Sequence, residues 1–314
     1  MTRFGEPGLG HRAAYVIDGW LHPRCRGGIR PGRFAIVGHR GAPREKPENT
    51  LESYARALEL GANAIECDVC VTRDDRFVVW HDADPDDRIA LLRQAGAEGY
   101  AFRPSVPDLG SPWRRPVREL DESDLRARYG YSRVGGDGSA AIVPLAELFD
   151  WAASARGLER ILLDTKLAEN DSGPAAALVE TVREAAERPG LRRIAFDLLS
   201  PRREVVDAFL AEAARGGLPE NVRICADFEL PGVERDGIPR GVREVSLGCG
   251  ERLWPGFRRE VCRVVAARQR GDFDRVTAWT INRPARLRQL LRIGADGILT
   301  DDVPVLRRLR DRLR

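Results

Sequence analysis

The chain has 314 residues, 43% hydrophobic and 32% charged, a soluble globular composition with room for one large α/β barrel or two ordinary domains. Its 51 basic and 48 acidic side chains leave a net charge of +3, too even a balance for a protein held to nucleic acid by a broad basic field. No run approaches the roughly 18 apolar residues of a membrane span, and the N-terminal MTRFGEPGLGHRAAYVIDGW lacks the apolar core of a signal peptide. A cytoplasmic chain with reduced thiols is therefore expected.

Residues 1–33, rich in Gly, Arg and Pro, read as an N-terminal extension to a domain spanning 34–314. FAIVG (34–38) is a short buried strand. TLESYARALELG (50–61) is a helix, with Asn49 and Glu52 spaced as a capping box and Gly61 as its stop. NAIECDV (63–69) and RFVVW (76–80) are strands joined by a Thr-Arg-Asp-Asp turn. In the first of them Cys67 and Cys70 form a CxxC pair, but positions three apart on a strand face opposite ways. No second Cys pair completes a zinc site, so both are expected to be packing residues. Residues 83–143 carry Pro104, Pro107, Pro112 and Pro116 and a Gly135-Gly136 pair; they read as an insertion that walls or lids a site and holds some structure of its own. From Pro144 helices and strands alternate: helix 144–155, strand 160–166, helix 174–188, strand 192–198, helix 202–215, strands 222–228 and 243–248, helix 256–270, strand 275–281, helix 284–293, strand 296–300 and helix 302–312. Only 229–242 carries a weak helix or none. Setting aside the hairpin strand 76–80, the pattern predicts a (β/α)8 barrel with an insertion after its second strand.

The polar motifs fall at the C-terminal ends of these strands, the rim where barrel enzymes build their sites. His39 and Arg40 follow the first strand, Glu66 and Asp68 end the second and His81 ends the hairpin. Asp164 and Lys166 end the third, Trp279 and Asn282 the seventh, and Asp301 the eighth. Glu66 and Asp68 are two apart, so both carboxylates point to one face, about 7 Å apart along the strand. Two acids aimed into one volume repel unless a cation lies between them, and Asp164 adds a third hard oxygen donor. The set suits Mg²⁺ or Ca²⁺ better than zinc. An arginine-paired structural cluster is the alternative; Ala, Ile, Val and Leu, rather than arginine, flank the acids. His39 and His81 are candidate acid–base groups. The chain has two lysines against 49 arginines, so the lysine at 166 is a choice. It could pair with Asp164 or neutralise a phosphoryl oxygen, as could Arg40. Trp279 is either rim packing or one wall of a ligand site. Such parts are enough for metal-assisted cleavage of a phosphate ester.

The blocks GHRGAPREKPENT, ECDVCVTRDDRFVVWHD, LLDTK and AWTINRPARLRQLLRIGADGILTDDVP together resemble the glycerophosphodiester phosphodiesterase family over about residues 34 to 305. The resemblance implies a (β/α)8 barrel and metal-dependent hydrolysis of glycerophosphodiesters to an alcohol and glycerol 3-phosphate. It implies His39 and His81 as acid and base, and Glu66, Asp68 and Asp164 on the metal. Arg40 and Lys166 would lie on the phosphate, and Trp279 on the glycerol. In the family's usual mechanism a substrate hydroxyl attacks phosphorus and water opens the cyclic product; no enzyme nucleophile is needed, and no Gly-x-Ser-x-Gly elbow occurs. The third ligand is usually Glu in this family, and the HDADPDDRIA continuation lacks its usual Thr-rich character. Sphingomyelinase D-like barrels use Asp-x-Lys at the third ligand, which makes a phospholipase D-like enzyme on lysolipids, leaving a cyclic phosphate, one alternative. A barrel that binds phospho-ligands without turnover is another. No protein partner is indicated.

Overall fold

Short runs of aliphatic and β-branched residues bounded by glycine or polar turns become buried strands in this chain. In the computed structural model, which describes residues 34–229, 237–248 and 257–312, β1 (Ala35–Gly38) leads to α1 (Leu51–Leu60), and β2 (Ala64–Val71) turns back into β3 (Phe77–Val79). Next come α2 (Arg88–Gln94), β4 (Phe102–Ser105), a 3-10 turn (Val117–Glu119), α3 (Glu122–Arg128), β5 (Gly130–Arg133) and β6 (Ser139–Ala141). The chain then runs through β7 (Val143–Pro144), α4 (Leu145–Ser154), β8 (Arg160–Thr165), α5 (Ser172–Glu187), β9 (Ala195–Ser200) and α6 (Arg203–Gly216). It ends with β10 (Val222–Glu229), β11 (Glu244–Gly248), α7 (Phe257–Arg270), β12 (Arg275–Trp279), α8 (Pro284–Ile293), β13 (Gly297–Thr300) and α9 (Val303–Asp311).

Among the described residues, β1, β2 and β8 to β13 form a parallel sheet that closes where β13 pairs with β1, from Ala35↔Gly297 to Gly38↔Thr300. This is the (β/α)8 barrel expected from the sequence. Alternation along each strand divides its side chains. Ala35, Val37, Ala64, Leu162, Leu199, Cys225 and Leu299 form a cluster of their own. Their neighbours Ile36, Ile65, Ile161, Phe196, Val245 and Ile298 pack with the helices in two larger clusters. At about 25 cal/mol per Å² of apolar surface removed from water, these layers dominate the stabilisation.

Two local readings are corrected, and the structure expected within the insertion is found. Helix α1 is capped by Thr50, whose Oγ1 accepts from the Ser53 amide, and the Asn49 side chain turns instead toward β2. The expected fourth barrel strand starts three residues later than read, at Ala195, because 188–194 closes in turns, with Leu191 N and Arg192 N donating to Arg188 O. The 83–143 segment contains a three-stranded antiparallel sheet, β4–β5–β6. Beside it lies a small core of Trp80, Val117, Leu120, Leu125, Tyr129, Tyr131 and Ile142. Cys67 packs in the barrel–helix layer and Cys70 in that small core; their thiols donate to Leu162 O and Trp80 O. Residues 1–33 and 230–236 lie outside the described residues, the second range being half of the stretch read as a weak helix or none.

Candidate active site

The turn after β1 is built to deliver a backbone amide. Arg40 adopts φ 53° and Gly41 φ 92°, and a Cβ on Gly41 would lie 2.5 Å from Ser53 Oγ, so glycine is required there for space and conformation alike. The turn directs Arg40 N–H to Glu66 Oε2 at 2.9 Å. Asn49, also left-handed at φ 55°, donates through Nδ2 to Asp68 Oδ2 at 2.8 Å and accepts from the Asp68 amide at 3.2 Å. The buried Tyr54 hydroxyl donates to Asn49 Oδ1. Both turns thus orient acids of β2.

Across the sheet, Asp68 stands in register with Asp164. Glu66, Asp68 and Asp164 each offer an oxygen, all within 4.8 Å of one another. Asp164 Oδ1 is buried without a hydrogen-bond partner, as a carboxylate oxygen aimed at a cation would be. Burial and the charges of Asp68 and Asp164, only partly offset by His39 and Arg40, push Glu66 up to about 8. Cations lie beside Asp68 in space, although no arginine flanks the acids in sequence. Arg40 Nε is 2.9 Å from Asp68 and its Nη1 meets Glu48 at 3.0 Å, while Lys166 Nζ bridges Asp68 at 2.9 Å and Asp164 at 2.6 Å. Despite its burial, Asp68 is held well below the usual carboxylate range by Lys166, Arg40 and His81.

Each histidine is fastened to its own carboxylate. His39 Nδ1 is 2.7 Å from Asp301 Oδ1, and Asn282 Nδ2 donates to the other Asp301 oxygen at 2.6 Å. His81 Nδ1 is 2.6 Å from Asp82 Oδ1. Their environments diverge. Burial and Arg40 push His39 down, but Asp301 and Glu66 outweigh them and its pKa ends above the ordinary value. Burial and Arg40, then Lys166 and Arg93, hold His81 well below it, against Asp68. Trp279 closes the far side; its Nε1–H donates to Asp227, and its ring packs on the barrel-interior cluster.

All eight residues expected from the sequence therefore lie at the C-terminal rim of the barrel. Sequence reasoning gave no part in the site's chemistry to Glu48, Asn49, Asp82, Asp227 or Asp301, nor to Arg93, Glu98 and Tyr100 of the insertion. His-Asp at 81–82 and Thr-Asp-Asp at 300–302 were visible signals for two of the carboxylates. Asp227, pushed up to about 7 by burial and by Asp164, had no local signal. A second acidic group, Asp197 and Glu244 with Cys225, lies toward the barrel floor. It is already neutralised by Arg160, 2.8 Å from Asp197 and 2.5 Å from Glu244.

Comparison with known proteins points to one family. Residues 39–153 and 275–304 match two models described as the glycerophosphoryl diester phosphodiesterase family. The chain belongs to the glycerophosphodiester phosphodiesterase family. The two matched stretches contain His39, Arg40, Glu66, Asp68 and His81, and Trp279 and Asp301, respectively. A glycerophosphodiester phosphodiesterase of Caldanaerobacter subterraneus is 24% identical over 86% of this chain and 95% of its own length. The uncharacterized protein YqiK of Bacillus subtilis is 26% identical over 85% of this chain and 94% of its own. A putative glycerophosphoryl diester phosphodiesterase from Silicibacter pomeroyi shares the fold with TM-score 0.68 and 22% identity, covering 91% of this chain and 96% of that one. An Oleispira antarctica phosphodiesterase, solved with sn-glycerol-3-phosphate, matches with TM-score 0.60 and 16% identity, over 88% and 96%. Family membership makes the chain a phosphodiesterase acting on glycerophosphodiesters. No helix among the described residues is long and apolar enough to cross a membrane.

Proposed function

We propose that this phosphodiesterase cleaves glycerophosphodiesters to an alcohol and glycerol 3-phosphate with His39 and His81 as acid and base, around a divalent cation held by Glu66, Asp68 and Asp164. The observation that carries the reading is the pair of histidines, each on its own carboxylate, with pKa values driven in opposite directions from the ordinary imidazole value. A carboxylate can only accept a hydrogen bond, so each Nδ1 carries a proton and Nε2 is the nitrogen that can face substrate. Neutral His81 takes the proton from the attacking hydroxyl, whether a substrate hydroxyl or water; protonated His39 gives its proton to the departing oxygen as the P–O bond breaks. The chain supplies no nucleophile of its own.

The three acids fit a hard cation such as Mg²⁺ or Ca²⁺: all are oxygen donors, they converge, and one buried oxygen has no partner. Such an ion would supply Lewis-acid polarisation of the phosphoryl oxygens. Lys166, and Arg40 beside it, add positive charge for the phosphate, and Trp279 offers an apolar wall for the glycerol carbons. The test is release of glycerol 3-phosphate from a panel of glycerophosphodiesters with Mg²⁺, Ca²⁺ or EDTA, alongside His39→Ala and His81→Ala. Metal-independent release, or variants as active as the parent, would refute the assignment.

A further inference from the structure

The acid–base pair is held by carboxylates, and those carboxylates are in turn held by the insertion. Arg93, in the last turn of α2, has 3% of its surface exposed. Its Nε donates to Asp82 at 2.9 and 3.3 Å, its Nη1 to Glu98 at 2.7 and 2.8 Å, and its Nη2 to Glu48. Tyr100, between α2 and β4, stands near Asp301, the partner of His39, and helps to hold its carboxyl low. Arg93 thus grips the carboxylate of His81 directly, and the same short segment carries Tyr100 up to the carboxylate of His39.

We propose that Arg93 and Tyr100 are positioning residues for the hydrolysis: the segment they share fixes Asp82 and Asp301, and through them the tautomer and direction of His81 and His39. The inference rests on the histidine reading above. A carboxylate held only by the ring it orients can swing with that ring. One gripped from behind by a planar guanidinium or a phenol cannot, and such outer partners commonly matter to activity nearly as much as the groups they orient. Lysine lacks the fork that lets Arg93 reach three carboxylates at once. The competing account is purely structural: Arg93 neutralises buried acids, and its loss destabilises the rim whatever His81 does.

The two accounts differ in additivity. Arg93→Lys, Arg93→Met and Tyr100→Phe would each be assayed on a glycerophosphodiester alone, and again with His81→Ala or His39→Ala. Positioning predicts a kcat loss of about 10- to 100-fold in Arg93→Met, with KM within about threefold of the parent. Arg93→Lys should fall between, Tyr100→Phe should lose less, and neither position should lower kcat further once its own histidine is alanine. Ring ¹⁵N spectra of the metal-free protein provide a readout that stability does not move. With four histidines in the chain, His81 can be assigned by its alanine variant; it should be one Nδ1–H tautomer in the parent and a mixture in the Arg93 variants. If Arg93→Met fails to fold, Arg93→Lys and Tyr100→Phe carry the test. Parent-like kcat and ring shifts in both, or losses that multiply fully with those of the histidine variants, would overturn the proposal. Should His39→Ala and His81→Ala themselves keep parent activity, the acid–base reading fails instead, while the ring spectra still report whether the brace holds.

Discussion

Asp68 and Asp164 face each other in register across β2 and β8, with Lys166 Nζ lying between them at 2.9 and 2.6 Å. Neighbouring parallel strands therefore place two carboxylates side by side at the barrel mouth, and Glu66 adds a third. Like charges so close are tolerated only with a cation or a proton between them. Lys166 is the cation between the two aspartates, and burial with the charges of Asp68 and Asp164 pushes Glu66 up to about 8.

Metal binding should accordingly release a proton. Glu66, pushed up to about 8 by burial and by Asp68, is largely protonated near neutrality and must ionise to ligate. Affinity for Mg²⁺ or Ca²⁺ is expected to rise from about pH 6 to pH 8. Calorimetry in buffers of different ionisation enthalpy counts the proton; a pH-independent affinity with no release would remove Glu66 from the set. For stability the sign is the reverse of the usual carboxylate. The folded state holds more protons than the unfolded between the ordinary 4.5 and about 8, so Glu66 makes the metal-free protein less stable as pH rises through that window.

Asp68→Asn should be the most destabilising of the three ligand substitutions. It leaves Arg40 and Lys166 without their shared buried anion, a loss of about 3–5 kcal/mol by the rule for broken buried pairs. Urea unfolding of the metal-free protein measures it, and a loss no larger than that of Glu66→Gln would contradict the assignment.

Asp301→Asn acts on His39. Burial and Arg40 press the His39 pKa down and Asp301 lifts it, so removing the charge lowers it. If His39 is the acid, the alkaline limb of the kcat/KM profile shifts to lower pH. Asp301 is itself lowered to about 2 despite burial, chiefly by His39. Its stabilisation is present above the ordinary 3.8 and is lost as pH falls through about 2. The variant's acid unfolding should therefore be less steep over that window, a difference circular dichroism can follow.

Gly248→Ala probes Trp279. A Cβ at Gly248 would lie 2.7 Å from the indole, so the ring must move or the strand must shift, at about 1–3 kcal/mol. If Trp279 packs on the glycerol, KM rises more than kcat falls. An equal loss in both would make the ring a packing element alone.

The barrel was legible because each of its strands is a short apolar run, and the chemistry because His39, Glu66, Asp68, His81 and Asp164 sit at the strand exits. The insertion's sheet was not legible: FRPS, GYSR and SAA carry proline, glycine and serine and no alternation. Asn49 misled because its spacing to Glu52 imitates a capping box while its amide serves Asp68. Arg93 is one of 49 arginines, and only tertiary contact separates it from those on the surface. Asp227 gave no signal because its neighbours, Trp279 and Asp164, are distant in sequence.

The closure of the barrel sets when activity can first arise. β1 makes two register pairs with β2 and four with β13, and His39 meets Asp301 across 262 residues of chain. A nascent chain that has emitted every metal ligand still has a first strand paired on one side only and an unoriented His39. Folding of this kind is dominated by non-local contacts and is correspondingly slow. Partly made chains should then be able to gather acids at β2 and β8 yet leave phosphodiesters untouched, so that hydrolysis begins only when the last strand docks.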